Sequence, residues 1–228
     1  MVSAMMTVTP ETVWLFAVFA GVFGVCIGSF LNVCIWRMPR EESVVFAPSH
    51  CPKCNAPIRA WQNIPIASYI LLRGRCHHCR APISPRYWLV EALTGIIFVL
   101  IFLNGCAAGV PVSVLLPLFA VVPLVIVGAF IDVEHRIIPD ALTYPTAVVG
   151  AALAVFFPAN WFVADRFKAV FFSAASWVVV YLMLWLLAWA GKKIFKTEAF
   201  GAGDIKFLAA AGSVLSWQAI PLILLAGS

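Results

Sequence analysis

The chain has 228 residues, of which 63% are hydrophobic and only 11% are charged. A soluble domain is about half apolar and about one quarter charged, so this composition excludes an ordinary soluble globular protein. The formal net charge of +5 follows from membrane orientation, because the basic residues collect on one side of the predicted spans, and it is no argument for nucleic-acid binding.

Long apolar runs follow one another along the chain and predict membrane-spanning helices, each of which needs about 20 residues to cross the bilayer. The runs lie at Val13–Ile35, Trp88–Leu103, Val112–Ile131, Ala141–Phe157 and Ala169–Ala190. A shorter piece follows at Ile205–Leu215, and another begins near Gln218. The sequence ends at Ser228, too soon for that last piece to cross, so we expect a truncated chain or a half-span. The fold predicted is an all-α polytopic membrane protein, a bundle of about six or seven transmembrane helices.

The polar segment 36–87 separates the first two predicted spans and determines the orientation of the chain. Its charged residues are Arg37, Arg40, Glu41, Glu42, Lys53, Arg59, Arg73, Arg75, Arg80 and Arg86. The positive-inside rule places such a segment in the cytoplasm and the N-terminus outside. The same orientation brings Arg136 and the lysines of segment 192–196 inside and leaves Arg166 and Lys168 in an outer loop.

Within this cytoplasmic segment the pattern C-x-x-C-x-A-P-I occurs twice, as CPKCNAPI at Cys51–Ile58 and as CHHCRAPI at Cys76–Ile83. Two such knuckles place four thiolates around one tetrahedral metal ion, as in zinc ribbons. Two disulfides or four unligated thiols are the alternatives, although a cytoplasmic location argues against disulfides. We therefore predict a small zinc-ribbon-like loop domain with a structural zinc. Its candidate ligands are Cys51, Cys54, Cys76 and Cys79.

Acidic residues lie where the later spans meet the cytoplasm. They are Asp132, Glu134 and Asp140 in AFIDVEHRIIPDALTYP, and Asp204 in FGAGDIKFLAAAG. A carboxylate at bilayer depth costs about 2.5–3.5 kcal/mol on insertion scales, so such residues usually face a polar cavity and serve a function. Asp140 follows a proline at the start of a span, which suits a structural role at a helix N-terminus. Asp204 could likewise cap a helix that starts at Ile205.

Asp132 is harder to explain structurally, because it ends an apolar run where the helix dipole disfavours an anion. Gly201 and Gly203 let another backbone approach Asp204 closely. Two aspartates brought together there would share a proton, one acting as base on water and the other as acid toward a carbonyl. We therefore predict an aspartyl protease site of Asp132 and Asp204. A proton-coupled transporter using interfacial carboxylates is the alternative, although its acidic residues would lie nearer the midplane. A membrane-anchored binding module would leave both aspartates unexplained.

Taken together, these motifs resemble those of the type IV prepilin leader peptidases, bifunctional GxGD aspartyl membrane proteases of pilus and type II secretion systems. The resemblance rests on the paired CxxC loop and on GSFLNVCIWRMP (Gly28–Pro39), SPRYWLVEALTG (Ser84–Gly95), IDVEHRIIPD (Ile131–Asp140) and GAGDIKF (Gly201–Phe207). In that family the catalytic pair is the first aspartate of D-x-x-x-x-x-I-P-D and the aspartate of G-x-G-D. These positions correspond to Asp132 and Asp204.

The resemblance also implies substrates and a second activity. The family removes a short basic leader from prepilins or pseudopilins, whose hydrophobic N-terminal helix lies in the bacterial inner membrane. It then N-methylates the new N-terminal residue with S-adenosylmethionine, for which no residue of this chain is assigned. The implied organisation is a first span (1–35), a cytoplasmic zinc-binding loop (36–87) and a protease core (88–228). Family members continue through at least one full span after GxGD.

Overall fold

The computed structural model describes residues 10–46, 48–196 and 201–221, and the regular structure in these residues is helical, with no strand. The α-helices are α1 Pro10–Arg37, α2 Ala67–Leu71, α3 Arg86–Ala107, α4 Val112–His135, α5 Asp140–Phe156, α6 Arg166–Phe195 and α7 Ala202–Leu215. Short 3-10 helices occupy Met38–Arg40, Ala60–Asn63 and Pro158–Trp161. The all-α fold class is confirmed.

Apolar helices occupy the positions at which the sequence predicts spans. Among the described residues, α1, α3, α4 and α6 are long and apolar enough to cross a membrane. The other two are shorter, since α5 has 17 residues and α7 has 14. At a rise of about 1.5 Å per residue, α7 is only about 21 Å long. The piece predicted to begin near Gln218 lies, beyond Pro221, outside the described residues.

The chain forms two compact units, Met1–Pro111 and Val112–Ser228. In the first unit, α1 packs against α3 through glycines that let the two backbones approach closely. A Cβ added at Gly24 would lie 2.9 Å from the Cα of Gly95, and one added at Gly28 would lie 2.7 Å from the Cα of Glu91. Small residues at such a contact are typical of helix pairs in membranes, where close packing replaces the hydrophobic effect.

Hydrogen bonds connect α3 both to α1 and to the polar loop of the same unit. The Asn32 side-chain amide of α1 donates to the Tyr87 carbonyl at 2.9 Å, and the Ile66 N–H of the polar loop donates to Glu91 Oε2 at 2.7 Å. Ile66 has φ of 60°, which is an outlier for a β-branched residue. Glu91 is buried and lies in the second turn of α3. The loop is therefore attached at the level where α3 begins.

In the second unit, α7 packs against α4, α5 and α6. Half of its residues are alanine, glycine or serine, and Ala209, Ala210 and Gly212 are buried. The Ser173 hydroxyl of α6 donates to the Ser213 carbonyl of α7 at 2.8 Å. Because α7 is short and enclosed by neighbouring helices, its N-terminus, which carries Asp204, is positioned by the surrounding packing.

Candidate functional site

The two C-x-x-C copies fold into the same backbone turn. The Cys51 N–H donates to the Ala56 carbonyl at 2.9 Å, and the Cys76 N–H donates to the Ala81 carbonyl at 2.8 Å. Asn55 and Arg80, which follow the second cysteine of each copy, both have positive φ. These turns aim the cysteine side chains of both copies toward one point.

At that point the four sulfur atoms of Cys51, Cys54, Cys76 and Cys79 lie within 4.8 Å of one another. The Sγ atoms of Cys51 and Cys79 are 3.9 Å apart, and all four thiols are free. Zinc–sulfur bonds of about 2.3 Å in a tetrahedron place sulfurs about 3.8 Å apart. The cluster therefore has the donor atoms and the spacing to hold a metal ion. The alternative of two disulfides does not agree with four free thiols.

The thiols of this cluster differ in acidity. The pKa of Cys76 is lowered to about 6, because the backbone N–H groups of Cys79 and His78 stabilise its thiolate. The Ala56 N–H also favours a thiolate at Cys54, but desolvation and hydrogen bonds with the other three sulfurs outweigh it and raise that pKa to about 11. The thiolate is the form that binds a metal, so the lowered pKa favours Cys76 as a ligand for a cation.

Asp132 lies in the last turn of α4 and its side chain is exposed. Its backbone carbonyl accepts the Arg136 N–H at 2.8 Å. Arg136 has φ of 55°, a left-handed conformation common just past a helix C-terminus. The carboxylate therefore sits at the helix end to which the sequence assigns it.

Asp204 lies in the first turn of α7 and is also exposed. Its Oδ2 accepts the Gly201 N–H at 3.1 Å, as an acidic residue at the third helical position does in a capping box. The helix begins at Ala202, so the expectation that it starts at Ile205 is wrong. Asp204 does have a capping role, but from inside the helix.

The end of α4 and the start of α7 lie side by side. A Cβ added at Gly128 of α4 would lie 2.6 Å from the Phe207 ring of α7, and one added at Gly203 would lie 3.2 Å from Ile138 Cβ, just past α4. The two helices therefore run antiparallel, with Asp132 and Asp204 at the same end of the pair. Within the described part of the chain, no hydrogen bond joins the two carboxylates.

Asp140 is the first residue of α5 and forms an ion pair that the sequence analysis missed. The Lys206 Nζ lies 2.7 Å from Asp140 Oδ1 and 3.0 Å from Oδ2. The sequence did contain a signal for this pair. Lys206 is a single basic residue in an apolar stretch, and such a residue needs an anionic partner or water. Asp140 thus connects the start of α5 to α7.

Comparison with known proteins finds two family models that match successive parts of the chain. The Bacterial Peptidase A24 N-terminal domain matches residues 22–105, and the Type IV leader peptidase family matches residues 118–228. A "Prepilin leader peptidase/N-methyltransferase" of Myxococcus xanthus (strain DK1622) is 40% identical over 215 residues, which cover 94% of this chain and 60% of the relative. The protein of the same name from Aeromonas hydrophila is 38% identical, over 94% of this chain and 78% of the relative. No solved structure matches the chain.

Proposed function

The chain belongs to the type IV leader peptidase family, and on that premise we propose that it is a membrane aspartyl endopeptidase with Asp132 and Asp204 as its catalytic pair. The observation that carries the proposal is the placement of these residues at the same end of antiparallel α4 and α7. Both side chains are exposed, so water can reach them. The substrates proposed are type IV prepilins or type II secretion pseudopilins.

The chemistry uses the two carboxyl groups in complementary protonation states. One acts as general base and takes a proton from water as the water oxygen attacks the scissile carbonyl. The other donates its proton to the carbonyl oxygen. When the tetrahedral intermediate collapses, the first carboxyl group gives the proton it took from water to the departing amine, and the second takes a proton back from the hydroxyl as the carbonyl re-forms. An extended substrate crosses the start of α7, beside the exposed Gly201 and Asp204.

The cleavage takes place at the cytoplasmic face of the bacterial inner membrane. The basic segment 36–87 supports this orientation through the positive-inside rule. The basic leader of the substrate then stays in the cytoplasm, while the hydrophobic N-terminal helix of the mature protein remains in the bilayer beside the spanning helices.

A second activity is proposed for the same chain, N-methylation of the new N-terminal residue. Its support is the name of the relatives, prepilin leader peptidase/N-methyltransferase. S-adenosylmethionine would supply the methyl group when bound, and no residue of the chain is assigned to hold it.

The metal of the cysteine cluster is proposed to be a structural Zn2+. Four thiolates with the spacing found here form a closed tetrahedral shell, which leaves no open position for water. A loop with so few buried residues lacks a core of its own, so the metal would supply the stability that packing does not.

Incubation with a synthetic prepilin N-terminal segment in detergent, followed by mass measurement, tests both activities. Without S-adenosylmethionine we expect loss of the leader only, and with it one further methyl group on the mature product. An intact substrate after incubation with folded protein would overturn the peptidase proposal. Cleavage with no methylation in any condition would overturn only the second activity.

A further inference from the structure

The short helix α2 and the turn after it present an exposed apolar and basic surface. Ile70 and Leu71 of α2 are 67% and 70% exposed. Leu71 also lines an open cleft of about 770 Å³, together with Leu72, Arg73, Arg75 and Arg80. We call the five residues Ile70, Leu71, Arg73, Arg75 and Arg80 the α2 face.

The arginines of the α2 face lie in a segment of the sequence that has no acidic residue. From Ser43 to Val90 the chain contains no aspartate or glutamate, and within the described residues none of the three guanidinium groups forms an ion pair. Guanidinium groups bind phosphate in a bidentate manner and are weakly hydrated. An open cleft lined by three of them therefore fits a phosphate-bearing ligand. S-adenosylmethionine, with its net positive charge, is a poor match.

The attachment of the loop places the α2 face at the bilayer surface. The Ile66 N–H bonds Glu91 in the second turn of α3 at 2.7 Å, and α2 begins at the next residue, Ala67. Because α3 is a spanning helix that starts at Arg86, α2 lies at the level where α3 enters the membrane. Exposed apolar side chains beside arginines at that depth match the boundary between acyl chains and headgroups.

We propose that the α2 face binds the phosphate groups of anionic phospholipids and seats the cysteine loop on the bilayer. Ile70 and Leu71 enter the acyl boundary, while the arginines contact headgroup phosphates through the ends of their long side chains. The proposal goes beyond the peptidase function and does not depend on it, because no part of the α2 face belongs to the aspartate pair.

Trypsin cleavage of the full chain in lipid nanodiscs tests this directly, since trypsin cuts after arginine and lysine. Cuts after Arg73, Arg75 and Arg80 report on the α2 face, and cuts after Lys53 and Arg59 are internal controls in the same loop. In discs containing phosphatidylglycerol, we expect cleavage at the face to slow about fivefold relative to phosphatidylcholine discs. Cleavage at the controls should change less than about twofold. Equal slowing at all five positions would overturn the proposal.

Two double variants, each of which removes two positive charges from the loop, distinguish a specific phosphate site from general electrostatic attraction to an anionic bilayer. Arg73→Gln/Arg80→Gln should lose the protection at Arg75, whereas Lys53→Gln/Arg59→Gln should keep it. A third arm adds inorganic phosphate to phosphatidylcholine discs. Protection by free phosphate as strong as that by phosphatidylglycerol would show a soluble-anion site and contradict membrane binding. The comparison of wild-type cleavage between the two kinds of disc tests the proposal even where a variant fails to fold.

Discussion

Replacing Gly201 by alanine tests how the carboxylate of Asp204 is positioned. Gly201 has φ of −70° and ψ of 151°, an extended conformation that any residue adopts. Alanine therefore causes no backbone strain. Its Cβ, however, would lie 3.1 Å from Asp204 Oδ2, the oxygen that accepts the Gly201 N–H. The added methyl group has to displace the carboxylate and lengthen that hydrogen bond.

The size of the effect follows from the hydrogen bond. A hydrogen bond to a charged group contributes about 1.5–3 kcal/mol. Because Asp204 is exposed to solvent, we expect its bond with Gly201 to contribute only about 1 kcal/mol. Because about 1.4 kcal/mol corresponds to a tenfold change in rate, we expect kcat/KM for leader cleavage to fall about fivefold. Stability should change little, because the gain of about 0.4–1 kcal/mol from a less flexible unfolded chain is offset by the weakened capping bond at the start of α7.

The assay measures cleavage of a synthetic prepilin segment by mass spectrometry and thermal unfolding by tryptophan fluorescence, both in the same detergent. Ala202→Gly is the matched control, because it alters the neighbouring residue at the helix start and adds no group near Asp204. It should lower the unfolding free energy by up to about 1 kcal/mol and keep full activity. An unchanged kcat/KM in Gly201→Ala would refute the reasoning that Gly201 positions the carboxylate.

Three further changes have separable outcomes. Replacing Cys51 and Cys76 together by serine should remove about one zinc per chain and make the loop sensitive to protease; metal analysis checks this, and wild-type protein without metal would contradict it. Gly128→Ala should press on the Phe207 ring and lower the unfolding free energy by about 1–3 kcal/mol, whereas an unchanged thermal midpoint would contradict the α4–α7 contact. Glu91→Ala leaves the half-buried Ile66 N–H without its acceptor, so the loop should open to hydrogen exchange at a free energy about 1–3 kcal/mol lower; unchanged exchange would argue against this attachment.

The parts of the fold that depend on local pattern were predictable from the sequence. Apolar runs determine where helices lie, so each predicted span coincides with an observed helix to within a few residues. The cysteine spacing likewise determines the cluster of four thiols, because a C-x-x-C turn directs both thiols to one side and its repetition supplies the other pair. These features need no knowledge of distant contacts.

Contacts between distant segments were not predictable in this way. The Asp140–Lys206 pair and the Ile66–Glu91 bond join residues far apart in sequence, and no local pattern specifies them. The start of α7 was misjudged for a related reason. Gly203 is a poor helix former, yet it lies inside α7, where a Cβ would lie only 3.2 Å from Ile138 Cβ and make a tight contact.

The most direct test of the catalytic pair compares leader cleavage by three aspartate-to-asparagine variants at equal amounts of folded, metal-loaded protein. Asp132→Asn and Asp204→Asn should each abolish cleavage, because each leaves a single ionisable carboxyl group and the acid–base pair is lost. Asp140→Asn should retain substantial activity, because its carboxylate pairs with Lys206 at the start of α5 and contributes to structure. Equal loss of cleavage in all three variants would contradict the assignment of Asp132 and Asp204 as the catalytic pair.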